Sequence, residues 1–219
     1  MIKLEGINKE YILGKTKVKV LEDINIKINK GEFVGIVGQS GSGKSTLSNI
    51  IAGLLKPTGG KVEIEGRDIW SLGDRKISEF RNKTLGFVFQ SFNLIPGMTA
   101  LENVMLPLAY SKIKHKNRIE YAKEELLKVG LEDRIYHKPN EMSGGQMQRV
   151  SIARAMINKP KIIIADEPTG NLDSDSSDVI INLIKQINKN GVTVIMVTHN
   201  LDYKKHFTKL ITLRNGKII

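Results

Sequence analysis

The hydrophobic residues of this chain follow two different periods, and the change between them divides the sequence. Over the first thirty residues apolar and polar positions alternate, as at Ile24, Ile26 and Ile28. This period of two predicts antiparallel strands with one face in contact with solvent. Residues 33–37 are an unbroken apolar run, which indicates a strand buried on both faces.

From about residue 92 to about residue 158 the apolar positions recur at helical spacing, for example at Leu101, Val104 and Met105. This change predicts a helical lobe inserted into an α/β core. Within the core we predict a helix over residues 44–54, strands over 61–64, 84–88 and 162–165, a helix over 173–190 and a strand over 192–197. Residues 209–213 and 217–219 predict a closing hairpin, with a type I′ turn at Asn215 and Gly216.

The segment between the buried strand and the first helix has the spacing of a phosphate-binding loop. Glycines allow backbone N–H groups to turn inward around an anion, and the following helix contributes the positive end of its dipole. The lysine is expected to reach the outer phosphates and the serine after it to bind magnesium. A glycine- and serine-rich turn without a ligand is the alternative. The residues are Gly38, Gln39, Ser40, Gly41, Ser42, Gly43, Lys44 and Ser45.

Two adjacent carboxylates follow the apolar run at residues 162–165. Asp166 is expected at the carboxyl edge of the sheet, where ligands of α/β proteins bind, and is a candidate magnesium ligand. Glu167 is the candidate general base for an attacking water. The alternative is a surface turn after a core strand.

A histidine follows the last predicted core strand. His199 comes after residues 192–197, so we expect it at the same sheet edge as Asp166, where it would hydrogen-bond the γ-phosphate and orient water. A structural or surface histidine is the alternative.

Composition narrows the class of protein. The 219 residues are 40% hydrophobic and 26% charged, with no cysteine, which suits a soluble protein of a reducing cytoplasm. The first residues lack a signal-peptide core, and no apolar run approaches membrane-spanning length. The net charge of +11 is not accompanied by clustered aromatic residues. It therefore favours a solvated surface, or one near anionic lipid, over nucleic-acid binding.

The segment before a probable helix at residues 146–157 completes the pattern. Ser143, Gly144, Gly145 and Gln146 could be a simple helix cap or an anion site. Set between Gln90 and Asp166, they resemble the signature of ATP-binding cassette (ABC) ATPases. This resemblance implies the P-loop NTPase ABC ATPase fold, with a RecA-like core, an N-terminal antiparallel β-subdomain and an inserted α-helical subdomain. The core and β-subdomain would comprise residues 1–90 and 158–219, and the helical subdomain residues 91–157.

The resemblance also implies roles, with ATP and Mg²⁺ as cofactors. Tyr11 would stack on adenine, although it could instead pack on its own sheet, and Thr46 would contact the α-phosphate. Gln90 would sense magnesium and water. Ser143 to Gln146 would bind the γ-phosphate of an ATP molecule that a second copy of this chain holds, in an ATP-dependent homodimer. Residues 171–173 would cross the dimer interface. One departure is Met142, where leucine is usual, and its packing should be preserved.

Three further segments, residues 86–96, 99–104 and 168–173, resemble the macrolide-exporter and lipoprotein-release branch (MacB/LolD type). The resemblance implies a separate FtsX/MacB-like transmembrane permease, a location at the inner face of the cell membrane, and work in efflux, lipoprotein release or antimicrobial-peptide resistance. An ATPase that signals through a membrane partner to a cell-wall enzyme, without transport, stays open as an alternative.

Overall fold

Two sheets and a group of helices make up the molecule, in a computed structural model that describes residues 1–14, 16–110 and 113–219. Short 3₁₀ segments occur between some of the elements. In chain order the strands and helices are β1 (Ile2–Leu13), β2 (Thr16–Ile28), β3 (Phe33–Val37), α1 (Lys44–Ile51), β4 (Gly59–Ile64), β5 (Arg67–Asp68), α2 (Asp74–Thr84), β6 (Leu85–Val88), α3 (Ala100–Met105), α4 (His115–Lys128), α5 (Gly144–Met156), β7 (Ile162–Asp166), α6 (Ser174–Lys189), β8 (Thr193–Val197), β9 (Lys209–Arg214) and β10 (Lys217–Ile218).

The larger sheet has the strand order β10-β9-β3-β8-β7-β6, and all its neighbours are parallel except β9 and β10. All residues of β3 and β8 are buried, as expected for parallel strands covered on both faces. The carboxyl ends of β3, β6, β7 and β8 therefore lie at one edge of the sheet.

Alternate residues of the central strands pack into two separate cores. Ile162 and Ile164 of β7 join a cluster with α1, α2 and the smaller sheet, whereas Ile163 and Ala165 join a cluster with α3, α4, α5 and α6. Because successive side chains of a strand point to opposite faces, one apolar run supplies both cores.

The smaller sheet is antiparallel, with the order β2-β1-β4-β5. Ile2 pairs with Ile28 on one side and with Ile64 on the other, and all three side chains are buried. The alternating pattern of the first thirty residues correctly predicted this sheet. The predicted closing hairpin is also present: Asn215 and Gly216 have φ of 47° and 76°, as a type I′ turn requires.

Helices α3, α4 and α5 lie between β6 and β7 in the chain, within residues 91–157. The α/β architecture with an antiparallel sheet and a helical insert is thus confirmed. In the described ranges, no helix is both long enough and apolar enough to cross a bilayer.

The predicted end of the first helix was wrong. Helix α1 ends at Ile51, three residues before Leu54, because Gly53 has a φ of +66°. The N–H groups of Gly53 and Leu54 donate to the carbonyls of Ile50 and Asn49 at 3.1 and 2.9 Å, which is a Schellman end.

Two other boundaries were also wrong. Thr84, predicted to open a strand, is the last residue of the unpredicted helix α2, in which only Ile77 and Thr84 are buried. Helix α5 begins at Gly144, not at Gln146, because Ser143 caps it and places both glycines in its first turn.

The contact between β6 and α5 requires glycine at residue 86. A Cβ there would lie 2.5 Å from the Ala155 carbonyl oxygen and 2.5 Å from Ile163 Cδ1. We therefore expect Gly86→Ala to lower the free energy of unfolding by about 1–3 kcal/mol through overpacking, measured by urea denaturation. The control is Gly97→Ala, since a Cβ at Gly97 meets nothing within 4 Å. Equal stability of the two variants would contradict this account.

Candidate functional site

The loop between β3 and α1 is shaped by two close approaches of backbone. A Cβ on Gly38 would clash with the Leu213 carbonyl oxygen, and a Cβ on Gly43 would lie 2.9 Å from the Val20 carbonyl oxygen. Gly43 also has a φ of +101° at the N-cap of α1, a conformation that side chains disfavour. These positions require glycine for packing as well as for the conformation of the loop.

Lys44 lies inside this loop. Its side chain is 8% exposed, and its Nζ donates to the carbonyl oxygens of Gly38 and Gln39, both at 2.9 Å. The ammonium group is therefore fixed at the mouth of the loop, beside the N-terminus of α1, where an anion is favoured.

A cavity of about 460 Å³ brings the loop together with four other segments. From the other segments come Val20, Gln90, Glu167 and His199. From the loop and the start of α1 it is lined by Ser40, Gly41, Gly43, Lys44, Ser45 and Thr46. The structure thus brings together nine predicted residues from four motifs at the edge where the parallel strands end.

Asp166 ends β7 behind this lining. Burial raises its pKa above the usual aspartate range, and the charge of Glu167 acts in the same direction. The hydroxyls of Ser45 and Ser48 and the ammonium of Lys44 lower it. Its Oδ1 is buried without a hydrogen-bond partner. An unpaired buried carboxylate oxygen is costly, so this atom suits a bound cation.

The oxygen donors here fit magnesium. The Ser45 hydroxyl, the Asp166 carboxylate and the side-chain carbonyl of Gln90 are hard ligands of the kind that Mg²⁺ prefers. Among the described residues no three His, Cys, Asp or Glu side chains form a metal cluster. Mg²⁺ commonly binds through one or two carboxylates and completes its ligands with water and phosphate oxygens.

Glu167 and His199 contact each other directly. His199 Nδ1 lies 2.9 Å from Glu167 Oε1, with side-chain exposures of 68% and 14%. The contact arises because Asp166 pairs with Val197 across β7 and β8, and the Glu167 N–H donates to the Val197 carbonyl at 2.9 Å. Glu167 has a φ of 47°, which is uncommon for a residue other than glycine.

Gly38, Gln39 and Ser42 belong to the loop but do not line the cavity, and neither do Tyr11 and the predicted residues before and in α5. Ser143 and Gln146 form a reciprocal cap of α5: the Gln146 N–H donates to Ser143 Oγ at 3.3 Å and the Ser143 N–H to Gln146 Oε1 at 2.9 Å. Gly144 and Gly145 occupy the first turn of that helix. Tyr11 is 39% exposed on β1, paired with Val18.

Sequence reasoning missed three polar residues around the site, of which Ser48 and Gln148 are buried and Arg154 is half-buried. Ser48 Oγ donates to the Ser45 carbonyl at 3.0 Å. Arg154, its pKa lowered by burial, donates from Nη2 to the Phe92 carbonyl at 2.7 Å. Gln148 is fully buried in α5. All three are polar residues on helical faces that pack inward, and only that position in an otherwise apolar repeat could have indicated them.

The chain matches known proteins along its whole length. Residues 21–170 match the family model described as ABC transporter. An uncharacterized ABC transporter ATP-binding protein of Bacillus subtilis, YvrO, is 48% identical over 219 residues, covering 100% of this chain and 96% of that protein. The macrolide export ATP-binding/permease protein MacB of Bdellovibrio bacteriovorus is 49% identical over 220 residues, covering 100% of this chain and 33% of that protein.

A solved structure of the ATP-binding cassette MJ0796 is similar in fold and sequence. It is a dimer in a post-hydrolysis state bound to ADP and Pi, with a TM-score of 0.92 and 44% identity, covering 100% of this chain and 96% of that one.

The environment of Asp166 leads to a prediction on stability. Because its pKa is raised in the folded chain, stability is lost as the pH rises from the usual aspartate range through that raised value. In metal-free buffer we expect Asp166→Asn to unfold at a higher temperature than wild type at pH 7.5, with the difference shrinking toward pH 4.5. The exposed Asp133 supplies the control variant Asp133→Asn. A destabilised Asp166→Asn at pH 7.5 would refute the expectation.

Proposed function

This chain belongs to the ABC transporter family of ATP-binding proteins, and we propose that it hydrolyses ATP to drive a separate FtsX/MacB-like permease at the inner face of the membrane. One observation carries the proposal. Lys44, Gln90, Glu167 and His199 line one cavity, whereas Ser143 to Gln146 cap a helix away from it. A single chain therefore supplies part of the site, and a second copy is needed to complete it.

We propose that Lys44, the loop N–H groups and the start of α1 hold the phosphates of ATP. Mg²⁺, held by Ser45, Asp166 and Gln90, would supply positive charge to the phosphates. Glu167 accepts a proton from the attacking water while the water oxygen bonds to the γ-phosphorus. The bond from that phosphorus to the bridging oxygen of ADP breaks. His199, 2.9 Å from Glu167, orients the carboxylate and the water. Tyr11 would stack on the adenine.

In the proposed dimer the two chains are related by a two-fold axis, so that each ATP lies between Lys44 of one chain and Ser143 of its partner. The N–H groups of Gly144 and Gly145 in the first turn of α5 have no partner within the helix. They would donate to the γ-phosphate, and hydrolysis would remove this bridge and open the dimer.

We propose that the permease docks in a second cavity, a groove of about 1130 Å³. Helix α2, strand β6 and the end of α5 line this groove, with the rings of Phe87 and Phe89 4.2 Å apart. Its charged lining is Arg75, Arg81, Lys83 and Arg154 against Glu79. This chemistry suits an apolar segment with acidic side chains. Arg154 also holds the segment after Gln90, so docking and the ATP site share a contact.

The similarity to MacB proteins supports a permease of that kind. The chain matches nearly the full length of relatives named ATP-binding proteins and about a third of those named ATP-binding/permease proteins. Both kinds of relative contain this cassette, which supports an ATPase that works with a MacB-like permease.

Loss of the base should separate binding from hydrolysis. We expect Glu167→Gln to lower kcat by about a hundredfold or more while retaining ATP, so that it elutes as a dimer with ATP and Mg²⁺ in size-exclusion chromatography with light scattering. Lys44→Ala should instead lose nucleotide binding in calorimetry and stay monomeric. Glu124→Gln, an exposed carboxylate of α4, is the control. A Glu167→Gln chain that turns over normally, or binds ATP as a monomer, defeats the proposal.

Charge reversal should test the groove. We expect Arg75→Glu with Lys83→Glu to weaken binding to an FtsX/MacB-like permease by about tenfold, measured as ATPase stimulation in vesicles that contain the permease. Lys189→Glu, at the exposed end of α6, is the control. Unchanged stimulation excludes the groove as the docking site. Cargo flux in the same vesicles distinguishes transport from signalling without transport.

A further inference from the structure

Gln148 makes a buried connection between α5 and two loops of the ATP site. Its side chain is 0% exposed, and Nε2 donates to the Pro168 carbonyl at 2.6 Å and to the Phe89 carbonyl at 3.2 Å. Both partners are acceptors, so only the NH₂ group can face them, and Oε1 points away without a partner. The orientation of the carboxamide is therefore fixed by the backbone it binds.

The two acceptors stand next to residues of the proposed chemistry. Phe89 directly precedes Gln90, and Pro168 directly follows Glu167. The backbone of Gln90 has a second contact, since Asn171 Nδ2 donates to the Gln90 backbone carbonyl at 3.1 Å. One amide group thus links the backbone of the proposed water-sensing residue to the backbone of the proposed base.

The same helix begins with the residues proposed to bind the partner's ATP. Gln148 is four residues beyond Gly144, which is about 6 Å along a helix. A displacement of the first turn of α5 must therefore move the Gln148 amide with it. Farther along, Arg154 holds the carbonyls of Phe92 and Asn93, two residues with φ of 59° and 49°.

From this geometry we infer that Gln148 is a positioning residue that couples the two ATP sites of the dimer. When Ser143 to Gln146 of a chain engage the partner's γ-phosphate, Gln148 transmits the movement of α5 to Gln90 and Glu167 of its own chain. Each site therefore becomes competent for hydrolysis in response to occupancy of the other. The inference rests on the proposed paired arrangement and adds to it the route between the sites.

The test replaces the amide with side chains of similar length. Gln148→Met removes all polar atoms, and Gln148→Glu replaces the donating NH₂ group with a second acceptor oxygen and adds the charge of a carboxylate. Ser151→Ala is the matched control, because Ser151 lies on the same helix, is 0% exposed, and has a hydroxyl without a partner. Each chain is examined by calorimetry with ATP, by thermal unfolding, and by steady-state ATPase rate against ATP concentration.

For wild type and Ser151→Ala we expect a Hill coefficient approaching about 2, the number of sites. For Gln148→Met and Gln148→Glu it should fall toward about 1, and kcat should fall by about tenfold, as for the loss of two hydrogen bonds. ATP affinity should stay within about twofold of wild type, because Gln148 does not line the nucleotide cavity.

Two results would overturn the inference. One is that wild type hydrolyses ATP cooperatively and either Gln148 variant has the same Hill coefficient and the same kcat. The other is that both variants unfold well below wild type and Ser151→Ala, which would assign Gln148 to stability alone. A wild type that hydrolyses ATP without cooperativity and never dimerises would instead contradict the proposed pairing, and the coupling with it.

Discussion

The parallel alignment of β3, β6, β7 and β8 is the constraint on which the site depends. Parallel strands end at the same edge, so the phosphate loop, Gln90, Asp166 and His199 meet there although they are far apart in the chain. Burial of β3, β7 and β8 on both faces fixes the register at this edge, because a shift in register would exchange the side chains of the two cores. The chemistry is thus positioned by packing, and the loops need only turn sharply.

Electrostatics at this edge are balanced by few groups. Asp166 and Glu167 place two carboxylates in sequence beside Lys44, and the buried Asp166 Oδ1 has no partner. The ammonium of Lys44 is bound to loop carbonyls and only partly offsets the burial of Asp166. The arrangement favours a cation next to Asp166 and an anion in the loop. A phosphate group with a bound metal ion has both charges.

Much of this could be predicted from sequence because it depends on local patterns. The glycines, lysine and serine of the phosphate loop are contiguous in the chain, and the apolar runs show directly which strands are buried. Helix α2 was missed because few of its residues are apolar. Gln148 was missed because a glutamine in a helix is usually on the solvent side. The contact between Glu167 and His199 required knowing that β7 and β8 are neighbours, which no local pattern contains.

The double use of each central strand also limits how this chain can diverge. Gaining or losing one residue in β7 would turn Ile163 and Ala165 toward the wrong core. It would also shift Asp166 by one residue along the strand. Length changes among relatives should therefore accumulate in the connections at the opposite edge and in the helical insert. Adaptation to a new membrane partner is then possible through α3, α4 and the groove beside α5, while the edge that carries the phosphate loop stays unaltered.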